Sequence, residues 1–429
     1  MNQTIFPVHS LRGATEIPGD KSISHRSLMF GALAEGETLI TNLAPGKDVQ
    51  STRHCLEQLG VRIVTDGKEV RVHGVGLNGF RKPEQMLDAG NSGTTMRLLS
   101  GILAAQPFCT TITGDTSLSG RPMNRIITPL ASMGASIQAQ PDGTAPLTIH
   151  GKNLHPVHYR SPVASAQVKS CVLLAGLHTK GTTSVTEPAL SRDHTERMLQ
   201  AFGVPVKRDG LTVSVQGPAR LTGTPVHVPG DISAAAFFMI AASIIPGSEI
   251  IIKNVGLNPT RAGIVTALQQ MGCKIYEENF RKVGDEPMAD LRIQSGTLHG
   301  ITIGGDLIPR LVDEIPVLAV AALCAEGTTR IRDAGELRVK ETDRIAALEK
   351  NIRLMGGRIE TTRDGMTITG PQKLRGAKLD SFGDHRIAMA FTVAGLLAEG
   401  KTVIQRAECA EISHPGFYQD LKDLSHAEN

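Results

Sequence analysis

The 429-residue sequence is poor in aromatic side chains: it has no tryptophan and three tyrosines, and Phe, Trp and Tyr together make up 3%. Proteins that bind unpaired nucleic-acid strands stack the bases on aromatic side chains, so such a protein would ordinarily contain more of them. The net charge of +3 is also small for a nucleic-acid-binding protein of this length. We therefore expect no nucleic-acid partner.

Long apolar runs and paired cysteines are also missing. The longest apolar run, from Ala234 to Pro246, is too short to cross a bilayer. The first residues, MNQTIFPVHS, lack the basic and apolar regions of a signal peptide. The six cysteines lie far apart and form no Cys-x-x-Cys pair, which is typical of free thiols in a reducing compartment. These features predict a cytoplasmic protein that has no membrane partner.

Two sequence patterns alternate along the chain and divide it into six repeats. The first pattern is typical of a helix end, a glycine after it and then a strand. Its glycines are Gly60, Gly134, Gly203, Gly272 and Gly356. The second pattern, an alanine-rich helix end followed by a strand, occurs six times, beginning at Ala32, Ile102, Ala175, Ala241, Ala321 and Ala394. Alternating helices and strands predict an α/β fold.

A motif that occurs twice, far apart in the chain, predicts how the repeats are grouped into domains. Pro-Gly-Asp at 18–20 recurs at 229–231, and each copy precedes an apolar helix and three repeats. We therefore expect residues 20–229 to form one domain, and residues 1–19 with 230–429 to form the other. The chain would cross twice between them, which predicts a hinge near 19–20 and 229–230.

The sixth repeat lacks the short strand that closes most of the others, because the chain stops there. The segment from Phe6 to Gly13 has the composition of a strand. We expect this segment to complete the sixth repeat.

Positive side chains occur where helices are predicted to begin. In the segment PGDKSISHRS, Asp20 or Ser22 can cap a helix whose first turns hold Lys21 and Arg26. A helix N-terminus is itself partly positive, so cations there are unfavourable unless an anion binds. The pattern predicts a site for an anion such as a phosphate, against the alternative of a solvated basic turn.

Further candidates have the same character, although each alone is weak. They are the loop 88–97 with Gly93, Arg121 ahead of a helix-starting proline, Ser165 with Gln167 and Lys169, Arg192, the pair Asp313-Glu314, the charged run 338–344, and Asp384-His385-Arg386. Asp313 and Glu314 could cap a helix or act as a general base. The run 338–344 could equally be a salt-bridged helix face.

Two motifs are rejected. Residues 74–79 match the G-x-G-x-x-G pattern but lead into FRKP and not into a helix, which argues against a dinucleotide site. His155 and His158 have no further ligand nearby in sequence, so we expect no zinc site.

Taken together, the motifs resemble those of the 5-enolpyruvylshikimate-3-phosphate synthase family, in order and over nearly the whole chain. The matching segments are PGDKSISHRS (18–27), GNSGTTMRL (90–98), LSGRPM (118–123), SAQVKS (165–170), SRDHTE (191–196), DEIPVLAVAA (313–322), RVKETDR (338–344) and GDHRIAMA (383–390). The resemblance implies a two-domain α/β fold of the enolpyruvyl transferase type, with three βαβαββ repeats in each domain and a cleft between the domains.

The resemblance also implies an activity and its residues. Enolpyruvyl would pass from phosphoenolpyruvate to the 5-hydroxyl of shikimate 3-phosphate, with release of phosphate and without a metal or organic cofactor. The expected catalytic residues are Asp313, Glu341 and Lys21. Shikimate 3-phosphate would contact Lys21, Ser22, Arg26, Ser165, Gln167, Arg192, Asp313 and Lys340. Phosphoenolpyruvate would contact Lys21, Gly93, Arg121, Gln167, Arg344 and Arg386.

The family has two classes, and several positions resemble the second. Ser-Ala-Gln at 165–167 and SRDHTE at 191–196 follow its pattern, and Leu98 stands where the first class often has proline. Ile412 stands where the first class has a lysine before its proline, so we expect one phosphoenolpyruvate contact to be missing. Gly93 is retained, which is compatible with glyphosate as a competitor. A monomer is expected.

Three other functions compete with this one. The sister enzyme that transfers enolpyruvyl to UDP-N-acetylglucosamine resembles a pattern with a cysteine in the arginine-containing loop, but residues 118–123 contain none. An anion-binding module on the same scaffold would not need the two carboxylates Asp313 and Glu341 together with all of the expected substrate-binding arginines. An RNA-end-processing enzyme with related repeats is disfavoured by the low aromatic content and the missing nucleotidyl motif.

Overall fold

A computed structural model of the chain describes residues 1–425, which form two compact units, each with its own hydrophobic core. The inserted unit comprises Gly19–Val228 together with Val283–Asp285. The terminal unit comprises Met1–Pro18, Pro229–Lys282 and the described residues from Glu286 onward. The predicted hinge at the two connections stays a prediction.

Helices and short strands alternate along the chain. The terminal unit begins with β1 (Asn2–Ile5) and β2 (Arg12–Glu16). The inserted unit contains α1 (Lys21–Leu33), β3 (Ala34–Thr41), α2 (Lys47–Gln58), β4 (Arg62–Asp66), β5 (Glu69–Val75), β6 (Leu87–Asp88), α3 (Gly93–Leu103), β7 (Cys109–Thr113), α4 (Thr116–Ser119), α5 (Asn124–Ser132), β8 (Ser136–Gln138), β9 (Leu147–His150), β10 (His158–Arg160), α6 (Ala166–Gly176), β11 (Gly181–Thr186), α7 (His194–Ala201), β12 (Val206–Asp209), β13 (Thr212–Gly217), β14 (Leu221–Thr222) and β15 (Val226–His227).

The rest of the chain continues with α8 (Ile232–Ile244), β16 (Glu249–Gly256), α9 (Gly263–Gln270), β17 (Lys274–Val283), β18 (Glu286–Gln294), β19 (Thr302–Ile303), α10 (Ile308–Leu311), α11 (Ile315–Cys324), β20 (Gly327–Ile331), α12 (Arg344–Leu354), β21 (Glu360–Thr361), β22 (Met366–Gly370), β23 (Lys378–Asp380), α13 (His385–Gly395), β24 (Thr402–Gln405) and α14 (Phe417–Ser425). Short 3-10 helices occupy Gly305–Leu307, Gly335–Val339 and Ala407–Ile412.

Five helices end as the repeated glycines predict. The glycine lies two residues beyond the last helical residue of α2, α5, α7, α9 and α12. Its φ is 89°, 92°, 87°, 87° and 79° at Gly60, Gly134, Gly203, Gly272 and Gly356 respectively. Glycine adopts this left-handed conformation without a Cβ clash, so it ends the helix and turns the chain toward the next strand. The prediction of a glycine-terminated helix is confirmed at all five positions.

The alanine-rich segments are buried helices of the two units. They form α1, α3 and α6 in the inserted unit and α8, α11 and α13 in the terminal unit, and the next element after each is a strand. From Ile315 to Leu323, for example, every residue of α11 is buried. A helix that is apolar on all sides must be surrounded by other elements, and this explains why small alanines recur there. Within residues 1–425, we find no helix whose length and apolar character would allow it to span a membrane.

Each repeat contributes one small sheet. In three of these sheets, all four strands come from one continuous stretch of chain and pair in the same pattern. In the sheet ordered β10-β11-β13-β12, the first pair is parallel and the next two pairs are antiparallel. The sheet β6-β7-β9-β8 repeats this arrangement, and β19-β20-β22-β21 does so in the terminal unit. The α/β architecture of βαβαββ repeats is confirmed.

Two repeats take their first strand from a distant part of the chain. Strand β2 precedes α1, yet it pairs in parallel with β16 in the terminal unit. Strands β14 and β15 precede α8, yet both pair in parallel with β3 in the inserted unit. The strand patterns of the sequence did not indicate this exchange.

The strand that completes the sixth repeat lies earlier than predicted. Strand β1 (Asn2–Ile5) pairs antiparallel with β24, whereas residues 6–11 lie outside strands. Pro7 has no N–H for a strand ladder, and Phe6 is 63% exposed, so this segment cannot replace the pairing of β1. The assignment of Phe6 to Gly13 was therefore wrong in its position, although the N-terminus does complete the repeat.

Candidate active site

In the inserted unit, polar side chains cap the helices on which predicted site residues lie. Asp20 caps α1, and its Oδ1 accepts a hydrogen bond of 2.9 Å from the N–H of Ile23. Ser92 caps α3, and Ser165 caps α6. The helix starts predicted near residues 20 and 92 are confirmed, with Asp20 and not Ser22 as the cap of α1.

Lys21 lies at the first position of α1 and pairs with a carboxylate. Its Nζ is 2.9 Å from Oδ2 of Asp48, in the first turn of α2. The backbone oxygen of Asp48 accepts a 3.4 Å hydrogen bond from Thr95 Oγ1 on α3. Because of these contacts, the start of α1 is fixed to the starts of α2 and α3. Ser22, next to Lys21, is only partly buried.

Arg26 is buried and joins three helices of the inserted unit. Its Nε donates to Thr195 Oγ1 of α7 at 2.7 Å, and its Nη2 donates to Ser170 Oγ of α6 at 2.8 Å. Its Nη1 donates to the backbone oxygen of Ser22 at 2.8 Å. The structure thus gives Arg26 a packing role, and its predicted contact with shikimate 3-phosphate stays a prediction.

Gly93 and Gln167 lie beside two arginines. Gln167 accepts a 2.6 Å hydrogen bond from Arg97 Nη1 and donates one of 3.0 Å to Thr94 Oγ1. A Cβ at Gly93 would stand 2.8 Å from Arg97 Nη1 and 3.6 Å from Arg121 Nη1. The absence of a side chain at Gly93 therefore leaves room beside two guanidinium groups.

Arg121 lies between α4 and α5, and α5 begins at Asn124 and not at the proline that the sequence suggested. Its Nη2 donates to Asn91 Oδ1 at 2.8 Å and to Ser117 Oγ at 3.2 Å. The guanidinium is only partly buried, so it can also offer donors to an anion.

Ser165 and Arg192 precede α6 and α7. The Oγ of Ser165 accepts from the N–H of Val168 at 3.4 Å, and its own N–H donates to Glu187 Oε1 at 3.0 Å. Arg192 is partly buried, directly after the buried Ser191. In the inserted unit, several predicted site residues thus lie where helices begin.

In the terminal unit, Asp313 directly precedes Glu314, the cap residue of α11, and three cations surround its carboxylate. Its Oδ1 is 3.6 Å from Lys340 Nζ, 3.4 Å from Arg344 Nη1 and 4.0 Å from Arg386 Nε. Arg386 Nη1 also donates to the backbone oxygen of Asp313 at 3.1 Å. The predicted residues Asp313, Lys340, Arg344 and Arg386 therefore form one cluster.

Glu341 joins this cluster through Arg344. The Oε2 of Glu341 is 2.6 Å from Arg344 Nη2, and Asp384 Oδ2 is 2.8 Å from Arg344 Nε. Arg344 is only 1% exposed. Its burial opposes the charged form, but Asp384, Glu341 and Asp313 outweigh that effect and raise the pKa of Arg344. Arg344 is therefore a permanent cation that pairs with three carboxylates.

The charged run 338–344 is not a helix face. Its first two residues end a 3-10 helix, and α12 starts only at Arg344, with Asp343 as its cap. In this loop, Lys340 and Arg344 both approach Asp313, and Glu341 pairs with Arg344.

For some residues that organise the two clusters, the sequence did not predict the contacts that the structure shows. Asp48 and Glu187 were not candidates at all, because their partners Lys21 and Ser165 lie far away in the chain. Four others lie inside the quoted motifs, but nothing local indicated their contacts: Arg97, Ser170, Thr195 and Asp384. Within the described chain, no group of His, Cys, Asp or Glu side chains could hold a metal ion.

Comparison with known proteins places these features in a family. The sequence model of EPSP synthase (3-phosphoshikimate 1-carboxyvinyltransferase) matches residues 5–421. A 3-phosphoshikimate 1-carboxyvinyltransferase of Bacillus thuringiensis subsp. konkukian is 53% identical over 425 residues, covering 99% of each chain. One of Synechocystis sp. is 56% identical over 421 residues, covering 97% of this chain and 94% of its own.

Solved structures agree with this comparison. The EPSP synthase of Acinetobacter baumannii superposes with a TM-score of 0.88 at 46% identity, covering 99% of this chain and 98% of that chain. The enolpyruvyl transferase NikO of Streptomyces tendae has a TM-score of 0.81 at 19% identity, over 98% and 96% of the two chains, which shows the shared fold.

The fold built from these repeats is that of an enolpyruvyl transferase. The chain belongs to the EPSP synthase family. It transfers the enolpyruvyl group of phosphoenolpyruvate to the 5-hydroxyl of shikimate 3-phosphate, a step of the shikimate pathway of aromatic amino acid biosynthesis.

Proposed function

We propose that Asp313 is the general base of this transfer and that Glu341 handles the proton at the vinyl methylene carbon. Asp313 would take the proton of the 5-hydroxyl as the oxygen attacks C2 of phosphoenolpyruvate, while the methylene carbon gains a proton. The resulting tetrahedral intermediate loses phosphate, and a proton leaves the methyl group to restore the double bond. The observation that carries this proposal is the contact of Arg344 with both carboxylates, at 3.4 Å and 2.6 Å.

The cations have a second role in this proposal, because both substrates carry a phosphate and a carboxylate. Negative charge moves onto the phosphate as it leaves, and positioned cations stabilise such charge more effectively than water does. Lys21 would assist catalysis in this way. Phosphoenolpyruvate would be held by Lys21, Gly93, Arg121, Gln167, Arg344 and Arg386.

Shikimate 3-phosphate would be recognised by a set of donors with one carboxylate. The capped helix starts of α1 and α6 support this assignment, because N–H groups and the helix dipole at such positions favour a phosphate. The set comprises Lys21, Ser22, Arg26, Ser165, Gln167, Arg192, Asp313 and Lys340.

The test of the base is the variant Asp313→Asn, assayed by phosphate release with shikimate 3-phosphate. The amide cannot accept the proton, so we expect kcat to fall by about 100-fold or more. The exposed Asp306→Asn is the matched control and should keep the normal kcat. A kcat of Asp313→Asn within about threefold of the parent would overturn the assignment.

We further propose membership of the second class of the family, on the residues at 165–167, 191–196 and Leu98. Glyphosate would compete with phosphoenolpyruvate, because Gly93 has no side chain that would crowd the guanidinium groups of Arg97 and Arg121. A monomer, a cytoplasmic location and a missing contact at Ile412 stay predictions; the six free cysteines support the location. Glyphosate inhibition kinetics test the competition, and light scattering tests the monomer.

A further inference from the structure

Glu187 lies directly after β11, is 4% exposed and connects two segments of the inserted unit. Its Oε1 accepts a hydrogen bond of 3.0 Å from the N–H of Ser165, the cap of α6. Its Oε2 accepts one of 2.8 Å from Ser191 Oγ, next to Arg192. One carboxylate therefore holds the start of α6 and the residue just before Arg192.

A buried set of charges fixes this carboxylate in place. Lys169 Nζ lies 2.9 Å from Glu187 Oε2 and 2.8 Å from Glu196 Oε1. Arg208 Nη2 is 3.1 Å from the same oxygen of Glu196. Two cations balance two carboxylates, and removal of a single buried partner would leave an uncompensated charge at high cost. The side chain of Glu187 thus has a defined position.

The same two helices also hold Arg26. Ser170 of α6 and Thr195 of α7 both accept from its guanidinium, and their hydroxyls lie 2.6 Å apart. A shift of α6 relative to α7 would therefore move the guanidinium of Arg26, which the proposed function assigns to shikimate 3-phosphate.

We propose that Glu187 is a positioning residue for shikimate 3-phosphate, acting through Ser165 and Ser191. By fixing these two segments, it sets the distance between Ser165 and Arg192, which the proposed function assigns to that substrate. This inference rests on the proposed function.

The effect of Glu187 on phosphoenolpyruvate should be much smaller. Two of the residues assigned to that substrate are oriented by other groups. Lys21 pairs with Asp48, and Arg121 donates to Asn91 and Ser117. Loss of Glu187 should therefore raise the KM for shikimate 3-phosphate much more than the KM for phosphoenolpyruvate.

The test separates the hydrogen bonds of Glu187 from its charge. In the double variant Lys169→Met with Glu187→Leu, the ion pair is removed as a unit, and both serines lose their acceptor. In Lys169→Met with Glu187→Gln, the amide can accept from the N–H of Ser165 without any charge. The control Glu196→Gln disturbs the same charge cluster but leaves Glu187 paired with Lys169, while the partly exposed Arg208 can turn toward solvent.

We expect the Leu variant to raise the KM for shikimate 3-phosphate by about tenfold, since two hydrogen bonds are lost. The KM for phosphoenolpyruvate should change by less than about threefold. The Gln variant should recover most of the affinity, and the Glu196 control should resemble the parent. A role in stability alone would instead move the midpoint of thermal unfolding in all three variants without a selective change in KM, and would overturn the inference.

Ser191→Ala keeps the inference testable if the Leu variant does not fold. It removes one hydrogen bond and no charge, and it should raise the KM for shikimate 3-phosphate by about threefold. If Ser191→Ala and the parent had equal KM values for shikimate 3-phosphate, this would count against a positioning role. The same would hold if the Leu, Gln and control variants had equal KM values for this substrate.

Arg192→Ala, measured in parallel by calorimetric titration with shikimate 3-phosphate, distinguishes the two levels of the proposal. Weaker binding by Arg192→Ala with normal binding by the Leu variant would refute only the role of Glu187. Normal binding by Arg192→Ala would refute the assigned substrate contacts and the positioning role together.

Discussion

Substitution of Arg121 tests the proposed phosphoenolpyruvate site directly. Its guanidinium is held by Asn91 and Ser117 and is only partly buried. Arg121→Ala should raise the KM for phosphoenolpyruvate by about tenfold or more, because a charge-assisted hydrogen bond is lost. Steady-state phosphate release at varied phosphoenolpyruvate measures this effect.

A control for Arg121 is available in the same unit. The exposed Arg62→Ala in β4 removes the same charge at a distant position in the sequence and should leave that KM unchanged. Unchanged kinetics of Arg121→Ala would remove Arg121 from the phosphoenolpyruvate site.

His25 makes the stability of the protein depend on pH. Burial, with Lys21 and Arg26 nearby, holds the pKa of His25 well below its usual value of 6.5. The folded protein keeps this ring neutral, whereas the unfolded chain takes up a proton below about pH 6.5. The free energy of unfolding should therefore fall as the pH drops from about 7 to about 5, by up to about 1.4 kcal/mol per pH unit from this group.

Urea unfolding of His25→Asn at both pH values checks this prediction. The variant should lose less stability than the parent over this range, since asparagine does not titrate. His9→Asn, at an exposed position, should behave as the parent does. An identical pH slope for the parent and His25→Asn would contradict the assignment.

At the scale of helices and strands, five helices are each followed by a glycine with a positive φ that ends the helix. Gly203 has a φ of 87°, and the atom nearest to a Cβ at this position, Thr222 Oγ1, would lie 4.0 Å away. Gly203→Ala has the space for its methyl group, so its cost is conformational. We expect about 1 kcal/mol of lost stability by urea unfolding.

Gly296→Ala is the matched control, because it adds a methyl group in open space without a positive φ. Its stability should stay within about 0.5 kcal/mol of the parent. Equal effects of the two substitutions would show that backbone conformation is not what Gly203 supplies.

Over the whole molecule, the two units differ in how their chain is connected. The inserted unit is nearly continuous, from Gly19 to Val228, and β14 and β15 return to complete the sheet of β3 within that stretch. A fragment of residues 19–228 should therefore fold alone. It should show cooperative urea unfolding and no transferase activity, since Asp313 and Glu341 are missing.

A fragment from residue 229 onward is the contrasting case. It lacks β1 and β2, which pair with β24 and β16, and would leave the edges of these two strands unpaired. Unpaired edges favour aggregation, so we expect a poorly soluble fragment by size-exclusion chromatography. Non-cooperative unfolding of the 19–228 fragment would show that the inserted unit is not an independent folding unit.

Helix ends, the six repeats and most of the candidate site residues could be predicted from the sequence alone. These features depend on near neighbours: Asp20 caps the helix that follows it, and Gly203 ends the helix before it, whatever the rest of the chain does. The motif matches added the activity and the expected roles of Asp313 and Arg344.

Contacts between distant segments could not be predicted in this way. Strand β2 pairs with β16, with Glu16 opposite Lys253, although nearly all of the inserted unit lies between them in the chain. Lys21 likewise pairs with Asp48 on another helix. Neither contact has a local cue in the sequence.

The physical reason is that a cap or a left-handed glycine acts within one turn of the chain. The partner of a strand or of a buried charge depends instead on how distant segments pack together. Glu187 shows the difference most clearly. The repeat pattern places it at the end of a strand but gives no sign of its contacts. Its partners Ser165, Lys169 and Ser191 reach it only when α6, β11 and the segment before α7 pack together.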